Sequence, residues 1–218
     1  MVQSDHVIII VLINVSIYLT LFFFRQDTNK DGSARYYTYG VPFFNYGLLP
    51  QTWEDPNTKS TEGFGGDNDP LDVIEIGESP LPMGSVTQVK ILGSLELIDE
   101  GETDHKIVAL RVSDSHATQI NDMKDLEEHM PGLTGKLVDW LKMSNTCVNL
   151  DTVLLTVDHH TSRYKTSDGK DINVLSNHDE PTSVSEATEI IGECHTKWRE
   201  LIASGGISYP NFWLGSSW

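Results

Sequence analysis

An α+β fold is what this sequence predicts. Strand-like runs joined by turn chemistry crowd together before Val112, and helix signals with caps and apolar stripes take over from Asn121. The length of 218 residues suits one domain with a sizeable core, or one domain plus extensions.

The chain opens on Val7 to Phe24 (VIIIVLINVSIYLTLFFF), which carries no charge. This run approaches the roughly 20 apolar residues that cross a bilayer. MVQSDH before it holds no Lys or Arg and no small-residue cleavage site follows, so it reads poorly as a signal peptide. Asn14, Ser16 and Thr20 dilute its apolarity, and its many β-branched residues suit buried strands equally well. A membrane anchor, a buried segment and an unstructured extension all stay open.

Asp27 to Tyr46 is polar and turn-rich, then aromatic, and leads into PQTWEDPN at Pro50 to Asn57. Asp27 to Gly32 begins like a calcium-binding EF-hand loop, but its twelfth position is Thr38 instead of Glu, so a turn is predicted. A Gly- and Asp-rich loop follows from Glu62 to Asp72. Strands are predicted over Leu71 to Ile76, Val86 to Asp99 and Lys106 to Val112. A helix then starts at Asn121 or Asp122 and stops at Met130-Pro131-Gly132, and Leu133, Leu137 and Leu141 mark another. Val153 to Val157 reads as a strand, and His159-His160 as polar loop surface. The last helix has a capping box in Ser183 and Glu186. Its stripe of Ala187, Ile190, Ile191, Cys194, Trp198 and Leu201 ends at Gly205-Gly206 and predicts core packing, with His195 beside it structural.

A formal net charge of -17 argues against nucleic acid as a partner, because a phosphate backbone would be repelled over most of the surface. Cys147 and Cys194 form no disulfide framework and read as free thiols in a reducing compartment.

The acidic residues carry the chemistry. Asp67, Asp69 and Asp72 stand in GDNDPLD, where glycines allow a tight loop and Pro70 breaks strand phase. Such a triplet is either a solvated turn or a set of hard oxygen ligands suited to magnesium. A second group favours the metal. Asp99 shares strand parity with Val89, Ile91, Leu95 and Leu97, while Asp104 and Lys106 share that of Val108, Leu110 and Val112. With Glu100 to Thr103 as the connecting loop, Asp99 and Asp104 are expected to face each other at about 5 Å. Like charges there need a cation to neutralise them. Lys106 on the same face could meet an anion. Paired carboxylates beside a cationic side chain suit metal-assisted phosphoryl transfer to water.

These stretches resemble the soluble, cation-dependent inorganic pyrophosphatases of the family I type found in animals and fungi. The resemblance runs from Gln26 to about Gly205. It rests on GDNDPLDVIEIGE, on NYGLLPQTWEDP at Asn45 to Pro56, and on LIDEGETDHK at Leu97 to Lys106, with YKTSDGK at Tyr164 to Lys170 and WREL in support. It implies a closed β-barrel of OB-like form flanked by helices, hydrolysing pyrophosphate to two phosphates with Mg2+. Carried over by position, Asp67, Asp72 and Asp104 would bind one ion, with Asp72 bridging to a second. Asp99 and Asp104 would hold a substrate-borne ion, and Asp69 would act as general base. Arg35, Lys106, Tyr164 and Lys165 would contact phosphate, and Tyr46 would support the site.

Departures from the pattern are plain. The family's upstream Glu, Lys and second Glu have no counterpart in Val7 to Phe24, which would leave the barrel incomplete at the N-terminus. Pro42 replaces a usual tyrosine, the Arg35 to Tyr46 stretch is short, and Met143 to Ser162 looks inserted. Lowered activity is therefore one expectation, and a non-catalytic metal-binding scaffold is the alternative. The expected organisation is a hydrophobic extension at 1–25, a pyrophosphatase-like domain at 26–205 and a tail at 206–218. A cytoplasmic protein is expected, with a tether through Val7 to Phe24 as the alternative, and a homodimer is allowed for.

Overall fold

The computed structural model describes residues 7–11, 31–33, 42–82, 84–99, 101–144 and 174–204. Among them are seven strands: β1 (Val7–Val11), β2 (Asn45–Leu48), β3 (Gly65–Gly66), β4 (Asp72–Glu75), β5 (Ser85–Asp99), β6 (Glu102–Arg111) and β7 (Val174–Leu175). Three α-helices follow the sheet signals, α1 (Met123–His129), α2 (Leu133–Ser144) and α3 (Val184–Ala203). The expected mixed α+β class holds.

All seven strands belong to one sheet. The long hairpin of β5 and β6 is its spine. β5 also pairs with β1 and β7, β1 pairs with β2, and β2 pairs with β4, all antiparallel. β4 and β3 lie parallel to β6. The described part of the uncharged N-terminal run is thus a strand, set between β2 and β5. Its β-branched composition, VIIIV, fits that role. β2 and β7 lie where no strand was predicted, because each is too short to show alternation of its own.

The two faces of the hairpin carry different cores. Leu92, Leu95, Leu97, Val108 and Leu110 pack with Ile120, Met123, Leu126, Leu137 and Leu141 of the α1–α2 region. On the opposite face Val89, Ile91, Ile107 and Ala109 pack with Ala187 of α3, and Ile190, Ile191 and Cys194 add partly buried contacts. The parity expected for β5 is therefore corrected. A register shift between Ile91 and Gly93 reverses the pleat, so Val89 and Ile91 face away from Leu95 and Leu97. On β6 no shift occurs, and Asp104 and Lys106 do share the face of Val108 and Leu110.

Helix starts follow their caps. Asp122 accepts from the Asp125 amide at 2.7 Å to open α1. Ser183 and Glu186 form the reciprocal box that opens α3. Away from the site, Glu75 is wholly buried and accepts from the Arg111 amide at 3.0 Å and Nε at 3.2 Å, with Asn45 Nδ2 at 2.7 Å on its other oxygen. That network ties β2, β4 and β6 at one level. The strand predicted at Val153 to Val157 lies outside the described residues.

Candidate active site

Strand pleat places the first half of the site. β4 pairs with β6 so that Asp72 stands opposite Lys106, and β2 pairs with β4 so that Tyr46 stands opposite Ile74. Alternation then puts Tyr46, Asp72, Asp104 and Lys106 on the face that continues into the α1–α2 core. Lys106 Nζ donates to Asp72 Oδ2 at 2.5 Å and also to Asp104 Oδ2. Tyr46 Oη donates to the same Asp72 oxygen at 2.5 Å, and the ammonium lies 5.6 Å from the Tyr46 ring centroid.

Burial alone would lower the Lys106 pKa. The negative charges of Asp72 and Asp104 outweigh it, so the pKa rises well above the ordinary lysine value. Burial, then the charge of Asp72, raises the Tyr46 phenol well above its usual range and keeps it a donor. The site therefore contains a fixed cation and a fixed phenol O–H.

The second half comes from loops. One carboxylate oxygen from each of Glu54, Asp67 and Asp104 lies within 4.8 Å of the others. Glu54 is only 3% exposed, and its Oε1 accepts from the His105 amide at 3.1 Å and pairs with His105 Nδ1 at 2.8 Å. Its Oε2 and Asp104 Oδ1 are buried with no hydrogen-bond partner among the described residues. Three carboxyls this close cannot all carry charge in a dry pocket without compensation. Burial first, and then the charges of Glu54 and Asp104, push Asp67 up to about 9. Burial likewise raises Glu54. Hard oxygens, two of them orphaned, are a donor set that fits a divalent cation.

The backbone of both loops is pinned from two directions. The Glu54 amide donates to Asp69 O at 2.9 Å, and the Asn68 amide donates back to Glu54 O at 3.0 Å. Gly66 sits so close that a Cβ there would fall 2.4 Å from the Glu54 carbonyl carbon, which leaves room for glycine only. α3 closes the other side: the Trp53 amide donates to Cys194 O at 3.1 Å, and His195 Nδ1 lies 2.8 Å from Gln51 O. His195, read from sequence as structural, is part of that latch.

Of the residues singled out from sequence, Asp67, Asp72, Asp104, Lys106 and Tyr46 are brought together. Asp69 is exposed at the rim, its amide donating to Asp67 Oδ1 at 2.9 Å. Asp99 does not face Asp104. It pairs with Glu102, and Asp104 pairs with Leu97. The connecting turn is tighter than expected, with Gly101 at φ 88°, so Asp99 becomes a diagonal neighbour of Asp104 on the same face. Arg35, Tyr164 and Lys165 lie outside the described residues, as does Asn145 to Ser162 of the expected insertion. Sequence reasoning missed Glu54 and His105. Nothing in WEDPN signals that its first carboxylate is buried, and His105, between Asp104 and Lys106, has the opposite strand parity.

Comparison with known proteins agrees with this arrangement. The family model described as inorganic pyrophosphatase matches residues 26–199. An inorganic pyrophosphatase of Candida albicans is 40% identical over 202 residues, covering 88% of this chain and 63% of its own. The structure of inorganic pyrophosphatase from Schistosoma japonicum superposes with a TM-score of 0.75 at 33% identity, covering 92% of this chain and 68% of that one. A truncated vacuolar soluble pyrophosphatase of Trypanosoma cruzi, solved in complex with PPi, gives 0.75 at 28% identity, covering 93% and 72%. The chain spans about half to two thirds of the length of the first curated relatives, between 53% and 63%. Most of the chain is matched by the family model, and the buried carboxylates and Lys106 fall inside that match: the chain belongs to the inorganic pyrophosphatase family.

Proposed function

We propose that this protein hydrolyses inorganic pyrophosphate to two phosphates with magnesium bound among Asp67, Asp72, Asp99 and Asp104. The observation that carries the reading is the cluster of Glu54, Asp67 and Asp104, two of them with a buried oxygen unpaired among the described residues, next to the ammonium of Lys106. Magnesium, when bound, supplies polarisation of phosphoryl oxygens and a lowered pKa for water. The chain's own residues do the rest. Asp69, exposed beside the buried cluster, takes the proton of the attacking water. Lys106, held protonated by its carboxylate neighbours, neutralises charge on the phosphate that leaves. Tyr46 fixes the Asp72 carboxylate that its phenol donates to. Arg35, Tyr164 and Lys165 complete the phosphate contacts in this reading.

The same reading extends to the architecture. β1, β2, β4, β6 and β5 each pair with the next, and β5 pairs with β1, which supports a small closed barrel of OB-like form. The catalytic domain is then 26–205, joined by a strand from the preceding segment and followed by a tail at 206–218. A cytoplasmic setting is the proposed one, and it is supported by the place of Val7–Val11 in the sheet. No helix among the described residues is long and apolar enough to cross a membrane.

Phosphate release from pyrophosphate tests the activity. Hydrolysis is expected with magnesium, to fall sharply with calcium, and to vanish in excess chelator. Asp69→Asn should lower the maximal rate at least a hundredfold, roughly the contribution of a positioned base, while magnesium affinity stays near that of the parent. Asp72→Ala should lower both. Chelator-resistant hydrolysis, or equal loss of magnesium affinity in the two variants, contradicts the assignment.

A further inference from the structure

The family resemblance assigned no role to Glu54, and the proposed mechanism does not use it. We propose that Glu54 is an additional carboxylate ligand of the divalent cation held by Asp67 and Asp104, with His105 locking its other oxygen in place. The inference rests on the metal site proposed above and adds a ligand to it.

The geometry is specific. Glu54 Oε1 is taken twice, by the backbone amide and by Nδ1 of His105. The far nitrogen of the His105 ring, Nε2, lies 3.9 Å from Glu96 Oε1, within ion-pair range but too far for a hydrogen bond. With Oε1 held twice the carboxylate is restrained, and Oε2 is buried with no partner among the described residues. A buried carboxylate oxygen without a donor is more costly than a neutral unsatisfied group, so one that finds no donor among the described residues calls for another partner, and a cation is such a partner. Asp104 Oδ1 is orphaned in the same way, and Asp67 completes a triangle no wider than 4.8 Å. Two oxygens on opposite sides of one cation stand about 4.2 Å apart for magnesium and about 4.6–5.2 Å apart for calcium. As the side chains stand, the 4.8 Å limit matches the span of a calcium-sized ion, and closure by roughly half an ångström brings all three within reach of magnesium. A Glu54–His105 pair with a merely structural role would not need a buried second oxygen left without a donor among the described residues, in a cluster with two more carboxylates. Carboxylates that ligate metals are themselves commonly held by hydrogen bonds from behind, as Glu54 Oε1 is by His105.

Calorimetric titration of the full chain with magnesium alone tests the idea on four proteins: the parent, Glu54→Gln, Asp67→Asn and Asp104→Asn. Expected is a loss of affinity at the tightest site of at least tenfold in Glu54→Gln. The metal-dependent rise in thermal midpoint should shrink with it, while the metal-free midpoint is unchanged or higher because a like charge is gone. Parent-like affinity in Glu54→Gln alongside weakened Asp67→Asn and Asp104→Asn overturns the role of Glu54 and leaves the metal site standing. Parent-like affinity in all three variants overturns the metal site itself. A crystal of the parent protein grown with magnesium gives an answer that needs no variant. Ion density within roughly 2.0–2.6 Å of Glu54 Oε2 supports ligation, and an ion at Asp67 and Asp104 that leaves Glu54 Oε2 on a water overturns it.

Discussion

Single residues of this protein do opposite things with buried charge. Lys106 has three acidic or phenolic neighbours and is held charged, whereas Glu54 and Asp104, clustered with Asp67, each keep a buried oxygen with no donor among the described residues. Asp114 shows the fully satisfied case. It is 5% exposed on its side chain and accepts from the amides of His116 at 3.0 Å and Glu78 at 3.2 Å, with Arg111 Nε 3.9 Å away. Burial opposes its charge, but these donors outweigh it and hold its pKa below the ordinary 3.8. A lowered carboxylate pKa means that the unfolded chain binds the proton more readily. The stabilisation is therefore complete above the ordinary value and is lost as pH falls through the lower folded one. Asp114→Asn should cost about 1–2 kcal/mol at pH 7, and urea unfolding should show the gap to the parent closing as pH drops toward 3. A gap that is constant from pH 7 to 3 would refute the charged role.

At the scale of elements, the site depends on how closely β3 and its loop approach the turn that carries Glu54. A Cβ at Gly66 would lie 2.5 Å from Glu54 O and one at Gly65 would lie 2.1 Å from Pro56 O. Gly66→Ala should then lower stability by roughly 1–3 kcal/mol, the range for overpacking a filled site, and weaken magnesium binding as the Glu54 turn moves. Gly135 in α2 is the control, since nothing among the described residues lies within 4 Å of a Cβ there. Gly135→Ala should raise stability by about 0.5–1 kcal/mol through helix propensity, with magnesium affinity untouched. Thermal unfolding and titration of the two proteins side by side decide this. Equal behaviour of the two would show that the approach at Gly66 is not tight. The same close approach explains why the glycines of this loop could be read as permitting a turn but not as packing against a particular partner.

For the molecule as a whole, the N-terminal segment is the point of greatest consequence. β1 fills the space between β2 and the first half of β5, with Val7 opposite Val89 and Ile10 opposite Leu48. Removing residues 1–25 should expose backbone edges on both neighbours and uncover apolar surface. The expected result is a lower thermal midpoint, with increased binding of a hydrophobic dye. A midpoint equal to that of the full chain would mean that the sheet does not need β1. Membrane fractionation of the same pair separates this from tethering, which would retain only the full chain in the pellet.

What the sequence determined by itself was local. The α+β class followed from the order of patterns, α1 and α3 followed from Asp122 and the Ser183–Glu186 box, and Asp104 and Lys106 were legible because β6 keeps an unbroken pleat with Val108 and Leu110. The motifs were specific enough to point to the family. Tertiary structure decided whatever required two distant segments to meet. A one-residue register shift reversed half of β5, a tight turn moved Asp99 off Asp104, and β1 found its place between two strands. Glu54 became part of the acidic cluster only because Gly66 lets its turn approach and α3 latches Trp53 through Cys194. Periodicity encodes which face a side chain takes within an element, but burial and unmet hydrogen-bonding capacity arise between elements, and those are the properties that make a carboxylate a candidate metal ligand.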